Sequence, residues 1–361
     1  MTAPRDMLDD VFRVVDAVIL RGIGADAFAE SLIWRRRDAD SFDAGVLPVG
    51  PSRSRISIND GVADALFSIV GAVGNAPSSL EQTHLREASA VLGDENVALN
   101  LSLLSGTVFV ALHEACHAAA GHVDYLRRNY RNATGLRLNM SEVGPRDRVD
   151  ALPGAMAYTT FRKLSELEAD GAAFALTLAF APELARVLTT TADVQPDPER
   201  ACERAVLLGA LAAVVQLETA ATADDIYPDP RLRLLNVIAS GFRSFAPAAI
   251  QRRDDDYVAR PLAEADAQVL TERYEKTMMP ALFMLDGAVG RLGRPSPLLV
   301  TGASDPRSML SDLMQDALVI LGGGEPSRTE AGRSLMHLSR GRATFMAAMQ
   351  DSRRTDLWRA E

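Results

Sequence analysis

His113, Glu114 and His117 stand in the order His-Glu-x-x-His inside the segment LHEACHAAAGH, which runs from Leu112 to His122. Residues four apart on a helix lie about 40° apart around its axis, so one helix would project both imidazoles side by side and close them on a single small cation. Glu114 would then sit beside the cation's open position. A zinc ion held by neutral ligands lowers the pKa of its bound water to roughly 7, and a neighbouring carboxylate can take the proton as that water attacks a carbonyl. The chain has five histidines, and three of them, His113, His117 and His122, fall within ten residues. Scattered surface or core histidines would not cluster in this way.

Two histidines leave zinc short of a protein ligand. His122 would supply it in a metzincin, but that pattern requires Gly seven and His ten residues after the first His, whereas Gly121 and His122 come at eight and nine. On a continued helix His122 would point about 140° away from His117, and Gly121 has the character of a helix C-cap. His122 is therefore expected to cap or to support a ligand rather than to bind the metal. The better source is LSELEADGAAFALTLAF, in which Glu166 and Asp170 are four apart and share a helical face. Glu166 reads as the third ligand. Asp170, one turn on, would accept a hydrogen bond from the free ring nitrogen of a ligating histidine, His113 in the first instance, fixing its tautomer. Glu168 faces the opposite side, as a solvated or bridging acid.

With these residues in view, the chain resembles the gluzincin metallopeptidases, whose second motif places Glu four residues before Asp, as in E-x-E-A-D; here the segment Glu166–Asp170 reads ELEAD. The pairing of H-E-x-x-H-x-x-x-G-H with E-x-E-A-D is most similar to the Lit-type phage-exclusion peptidases, and more distantly to HtpX-type membrane proteases and ImmA/IrrE peptidases. The resemblance implies zinc, Glu114 as general base and acid, and cleavage of an intracellular protein, with a role in phage defence. A third segment, DDIYPDPRLRLLNVI, resembles the H-P-x-x-x-x-R element of some of these families, with Tyr227 in place of their His, followed by Pro228 and Arg233. That implies Tyr227 as a donor to the tetrahedral oxyanion and Arg233 as a structural or carboxylate-binding group. The resemblance covers residues 97 to 240 or so.

The remaining features limit the setting. With 361 residues, 47% of them hydrophobic, the chain can bury a substantial core. A net charge of −10 argues against general affinity for nucleic acid. The short basic stretch Arg127, Arg128, Arg131 reads as a helix end with cations near its negative pole. The first twenty residues read as a helix with acids ahead of its apolar face rather than as a signal peptide. The longest apolar runs, Gly171 to Pro182 and Ala205 to Val215, fall short of the roughly 20 residues needed to span a bilayer. Two cysteines, Cys116 and Cys202, make no disulfide framework, so a cytoplasmic setting is expected.

The elements that must position the motifs follow from periodicity. Two helices are expected in the first forty residues, then a strand over Arg53–Ile58 ending at Asn59 and Asp60, which would cap a helix over Gly61–Val73. VALNLSL, Val97 to Leu103, alternates like a strand, and Ser105 to Ala120 reads as the motif helix. The polar stretch 130–160 is expected to form a lid or specificity insertion, with Tyr158 near its end as a second candidate oxyanion contact. Helices are expected over 164–180, 183–190, 199–221, 230–243, 261–291, 306–321 and 327–352. His337 and the methionines 309, 314, 346 and 349 read as packing groups. The expected fold is mainly α with a small β-sheet (α+β), a zincin-like core with a helical C-terminal region. Its divisions are 1–95, 96–245 and 246–361, the last either separate from the core or continuous with it. The expected activity is that of a zinc-dependent endopeptidase acting on a protein or peptide. The alternatives are a regulatory protein with a structural or dormant zinc site that binds a partner through its C-terminal helices, and a hydrolase of a non-peptide amide.

Overall fold

The computed structural model describes residues 4–50, 52–75, 89, 95–130, 138–139, 154–188, 198–220, 228–245, 264–294, 305–322 and 324–354. It is mainly α-helical with one small sheet, in agreement with the sequence-based fold class.

Helix α1 (Met7–Arg13) continues as a π-helical turn over Val14–Leu20, and a single-turn helix α2 (Asp26–Ala29) leads into strand β1 (Leu32–Arg37). Strands β2 (Ala44–Pro48) and β3 (Ser54–Asn59) and the two-residue β4 (Leu138–Asn139) complete the sheet in the order β1-β3-β2-β4. β1 runs parallel to β3, pairing Leu32 with Ser54, while β2 is antiparallel to both β3 and β4. Alternation places Ile56 and Ile58 of β3 beside Val46 and Ala44 of β2, all four fully buried. This inner face lies against the motif helix α4 (Glu95–Ala120).

Helix α3 (Asp60–Gly74) starts where Asn59 and Asp60 were expected to cap it, but neither side chain does so in the usual way. Asn59 donates instead to Ser41 Oγ at 2.8 Å, and Asp60 accepts both arms of Arg36, at 2.6 and 3.1 Å. The helix start is thus tied sideways to the loop and strand before it.

The strand expected over Val97–Leu103 is not formed, because that segment is the first half of α4, a single helix of 26 residues. Its apparent alternation arises because Asn100 and Ser102 interrupt a buried apolar run, and Ser102, Ser105 and Thr107 each donate their hydroxyl to the carbonyl four residues back. A buried hydroxyl satisfied in this way is compatible with helix and leaves no polar face for a strand to show. Among the described residues the strands come instead from the N-terminal region and from residues 138–139.

Helix α5 (His122–Asn129) follows α4 after Gly121, whose φ of +73° ends the motif helix in the left-handed conformation. Helices α6 (Tyr158–Ala179), α7 (Ala181–Leu188), α8 (Pro198–Ala220) and α9 (Pro230–Phe245) then supply most of the core. α4 packs chiefly on α8 and α6, and α9 packs on α6. The α4–α8 crossing depends on two glycines: a Cβ on Gly106 would come 2.7 Å from Gly209 O, and one on Gly209 would collide with the Ser102 carbonyl.

The C-terminal helices are α10 (Glu264–Arg273), which passes through a π-helical turn at Tyr274–Met278 into α11 (Met279–Arg291), then α12 (Pro306–Leu321), α13 (Glu330–Ser339) and α14 (Arg342–Met349). The single helix expected over 327–352 is broken at Arg340 and Gly341, where the chain turns. α11 packs on α3 and α8, α12 and α13 pack on α9, and α14 reaches α6, so one hydrophobic cluster runs from Met7 to Met349. Met314 and Met349 belong to it, whereas His337 is exposed and is not the packing group anticipated.

By length and composition Asn96–Ala120 could cross a membrane, with a mean hydropathy of 1.4, a property missed by looking for uninterrupted apolar runs. Here 83% of that apolar window is buried inside the protein, as befits a central core helix. The glycine crossing makes a prediction. Gly209→Ala should destabilise the protein by about 1–3 kcal/mol through overpacking, whereas Gly290→Ala, on an exposed helical position with open space around it, should be neutral or stabilising by up to about 1 kcal/mol. Urea denaturation of the two variants measures the contrast.

Candidate metal centre

His113, Glu114 and His117 lie in the last turns of α4, and Glu166 and Asp170 in the middle of α6, so the direct packing of these two helices brings the motifs together. His113, His117 and Glu166 present ligand atoms that all lie within 4.8 Å of one another and form a group able to hold a metal ion. His117 Nε2 is 3.0 Å from His113 Nε2, and Glu166 places Oε2 3.4 Å from His113 Nε2 and Oε1 3.8 Å from His117 Nε2. These separations bracket the edge of roughly 3.4 Å expected for a tetrahedron with ligands about 2.1 Å from its centre.

The outer nitrogens decide which atoms are free to ligate. His113 Nδ1 is 3.0 Å from Asp170 Oδ1, an ion-pair contact whose angle falls outside hydrogen-bond geometry; a carboxylate at that distance still favours the proton on Nδ1, which in the neutral imidazole leaves the lone pair on Nε2. Asp170 is held in turn by a two-armed ion pair with Arg233, Nε to Oδ2 and NH2 to Oδ1 both at 2.7 Å. The sequence placed Arg233 among structural or carboxylate-binding groups, and this is where it sits. Arg233 NH2 also approaches Glu166 Oε2 at 3.9 Å, while Arg162 NH2 lies 3.3 Å from Glu166 Oε1. Arg162, almost fully buried, is a site residue that sequence reading missed. Its signal was the four-residue spacing to Glu166 on one helical face.

On the other side His117 Nδ1 is 2.7 Å from His122 Nδ1, and His122 Nε2 is 2.9 Å from Glu168 Oε2. His122 is therefore outside the group of ligand atoms and directly behind one of them. Glu168 is neither solvated nor idle: its second oxygen accepts from Arg353 NH2 at 2.7 Å, so it bridges His122 to the C-terminal segment. The turn at Gly121 swings His122 back toward α6, which is why acids on two faces of that helix both reach histidines of this cluster.

Electrostatics follow from burial. His113, Glu114 and His117 are each 1% exposed and Glu166 2%. Burial opposes a charge on His113, yet the hydrogen bonds and charges of Asp170 and Glu166 outweigh it and raise its pKa to about 10. A proton retained there provides the positive charge between the two Nε2 atoms that a cation would otherwise bring. Burial, only partly offset by Glu166 and reinforced by the neighbouring His113 and His122, lowers His117 to about 3, so its imidazole stays neutral as a ligand must. Glu166, despite its burial, falls well below the usual carboxylate range because His117, His113 and Arg162 stabilise its charge. Glu114 behaves oppositely. Neither of its carboxylate oxygens has a hydrogen-bond partner, and burial pushes its pKa up to about 8. A buried carboxyl without partners is costly unless something else binds it. The donor set, the paired Nε2 atoms and the adjacent orphaned carboxyl all fit a metal ion in this place.

Tyr227, expected as an oxyanion donor, lies outside the described residues, as do Arg131 and most of the expected insertion over 130–160. Tyr158 opens α6 with its ring edge-on to Tyr130 at 5.4 Å. Arg127 is exposed, while Arg128 bonds Ser352 Oγ at 2.6 Å. Comparisons with protein-family models, curated proteins and solved structures find no match for this chain.

The Asp170–Arg233 pair generates a test of its own. Arg233→Met should cost about 3–5 kcal/mol because it strands a buried carboxylate, and combining it with Asp170→Asn should recover part of that loss. A double-mutant cycle measured by denaturation of metal-free protein checks this; simple additivity would show that the two residues are not coupled.

Proposed function

We propose that this chain is a zinc-dependent peptidase of the gluzincin type, acting on a protein or peptide in the cytoplasm. The observation that carries the reading is the orphaned, buried carboxyl of Glu114 next to two facing imidazoles and a third ligand, since a structural zinc fills its positions with protein ligands and needs no adjacent base. His113, His117 and Glu166 would hold the ion. When bound, zinc would polarise the scissile carbonyl and acidify the attacking water.

The protein's own residues account for the rest. Glu114 takes a proton from the water as its oxygen adds to the carbonyl carbon, then delivers it to the departing nitrogen as the C–N bond breaks, so that hydrolysis consumes one water and leaves the base as it began. A pKa raised to about 8 by burial suits a group that must both accept and donate near neutrality. Asp170 and Arg233 fix the His113 ring, and dry packing around α4 strengthens every charge interaction at the centre. Two buried free cysteines are compatible with a reducing compartment. The likeness of the motifs to Lit-type phage-exclusion peptidases suggests one specific protein target in phage defence. Hydrolysis of a non-peptide amide would use the same groups.

The near-complete burial of the site favours a second reading, a regulatory protein with a dormant metal centre whose C-terminal helices bind a partner. The two diverge under substitution. On the peptidase reading, purified protein contains zinc, Glu114→Gln retains it, and cleavage falls about 10²–10⁴-fold, whereas Glu166→Gln loses metal affinity. Mapping new protein termini in cells carrying wild type or Glu114→Gln identifies the target. Identical termini in both would leave the dormant reading standing.

A further inference from the structure

We infer that the C-terminal segment Ser352–Arg354 is part of the metal centre, with Arg353 acting through Glu168 and His122 to position the imidazole of His117. The inference rests on the reading of His113, His117 and Glu166 as metal ligands.

The chain of contacts is continuous. Arg353 NH2 donates to Glu168 Oε1 at 2.7 Å, His122 Nε2 donates to Glu168 Oε2 at 2.9 Å, and the Nδ1 atoms of His122 and His117 are 2.7 Å apart. Each link fixes the next. A carboxylate can only accept, so His122 carries its proton on Nε2 and offers a bare Nδ1. Two ring nitrogens 2.7 Å apart share one proton, which must then belong to His117 Nδ1. That leaves His117 Nε2 bare, on the side facing His113 and Glu166. Without the carboxylate, His122 could adopt the other tautomer and donate toward His117, moving the His117 proton onto the atom that should ligate. Arg353 and Glu168 exclude that arrangement. His113 reaches the same tautomer through Asp170 and Arg233, so each ligating imidazole is set by a carboxylate that an arginine holds.

The segment is built into the end of the motif helix. Arg354 N donates to Ala119 O at 2.8 Å, its guanidinium holds Asp124 Oδ2 at 2.8 Å and Ser54 Oγ at 3.0 Å, and Arg128 holds Ser352 Oγ. Gly121 has no room for a Cβ because the Ser352 carbonyl crosses it. Phe345 of α14 and Phe161 of α6 lie against the His122 ring, with centroids 5.8 and 6.1 Å away. Docking therefore has several anchors besides Arg353, and the charge of Arg353 can be removed while the segment stays in place.

The test uses the full chain with Zn²⁺ or Co²⁺ alone. Zinc affinity is measured by competition with a chromophoric chelator, the coordination sphere by the visible bands of the Co²⁺ protein, and the His117 tautomer by ¹⁵N NMR of histidine-labelled, metal-free protein. Arg353→Gln and Glu168→Gln should each weaken zinc binding about 10–100-fold, alter the Co²⁺ bands and shift the His117 proton toward Nε2. Arg353→Lys should restore most of the affinity. Wild-type affinity, bands and tautomer in both glutamine variants would overturn the inference. So would an equal loss in Arg353→Lys with a lowered melting temperature of the metal-free protein, which assigns Arg353 to docking alone. A wild-type protein that binds neither ion overturns the metal reading instead, and the ¹⁵N tautomer then decides the chain of contacts: a proton on His117 Nδ1 supports it and one on Nε2 overturns it.

Discussion

Two imidazole lone pairs directed at each other across 3.0 Å in a water-excluded site repel, and something positive must stand between them. The arrangement around residues 113–122 keeps both Nε2 atoms turned toward that position, where the proton retained by His113 supplies the positive charge. Asp170 draws one proton outward and His122 draws the other, so the single proton that His113 retains on its inner side is the one a bound cation would displace to find both Nε2 lone pairs. A protein that needed only a stable core would fill this volume with apolar side chains, since burying charged groups seldom improves stability over a well-packed hydrophobic equivalent. Four buried or nearly buried carboxylates, Glu114, Glu166, Glu168 and Asp170, with the guanidiniums of Arg162, Arg233 and Arg353 between them, are therefore not explained by core stability alone.

The fold serves that cluster through rigid helices. α4 is central, and its close crossing with α8 at Gly106 and Gly209 fixes its position. α6 lies alongside α4 and supplies all three acids beyond Glu114 from a single helix, so their mutual geometry is set by helical pitch. Arg162 lies on α6 as well, whereas the other two arginines come from farther away in sequence: Arg233 from α9 and Arg353 from the C-terminal segment. Charge balance at the centre thus draws on elements from distant parts of the chain.

This division explains what the sequence reveals and what it hides. His113, His117, Glu166 and Asp170 are legible because each pair is four apart on a helix and ligand chemistry restricts the residue types. Gly121 is legible as a helix end, and its positive φ is what returns His122 to the cluster. The strand reading of Val97–Leu103 failed because alternation carries information only where one face meets water, and there most side chains are buried on every side. β1 was missed because three consecutive arginines obscure its pattern, although Arg36 is turned to pair with Asp60 and Trp34 stacks on Phe12. Arg353 was beyond reach for another reason. Its partner is 185 residues away, and no local spacing encodes that contact.

Glu114 and Glu166 are the same residue type, both almost inaccessible to water, and their acidities are driven in opposite directions. The difference lies entirely in what surrounds each carboxylate. Glu166 is enclosed by two imidazoles and two guanidiniums and remains an anion suited to a cation. Glu114 is held on the same helix as the two histidines but with no donor at either oxygen, so burial acts on it almost unopposed and its proton becomes easy to hold and still possible to release. One environment suits a group that could hold a cation and the other suits a group that can exchange a proton. Such a separation of two like acids by their surroundings is what acid–base chemistry at a metal requires, and here it follows from which helix faces the arginines can reach.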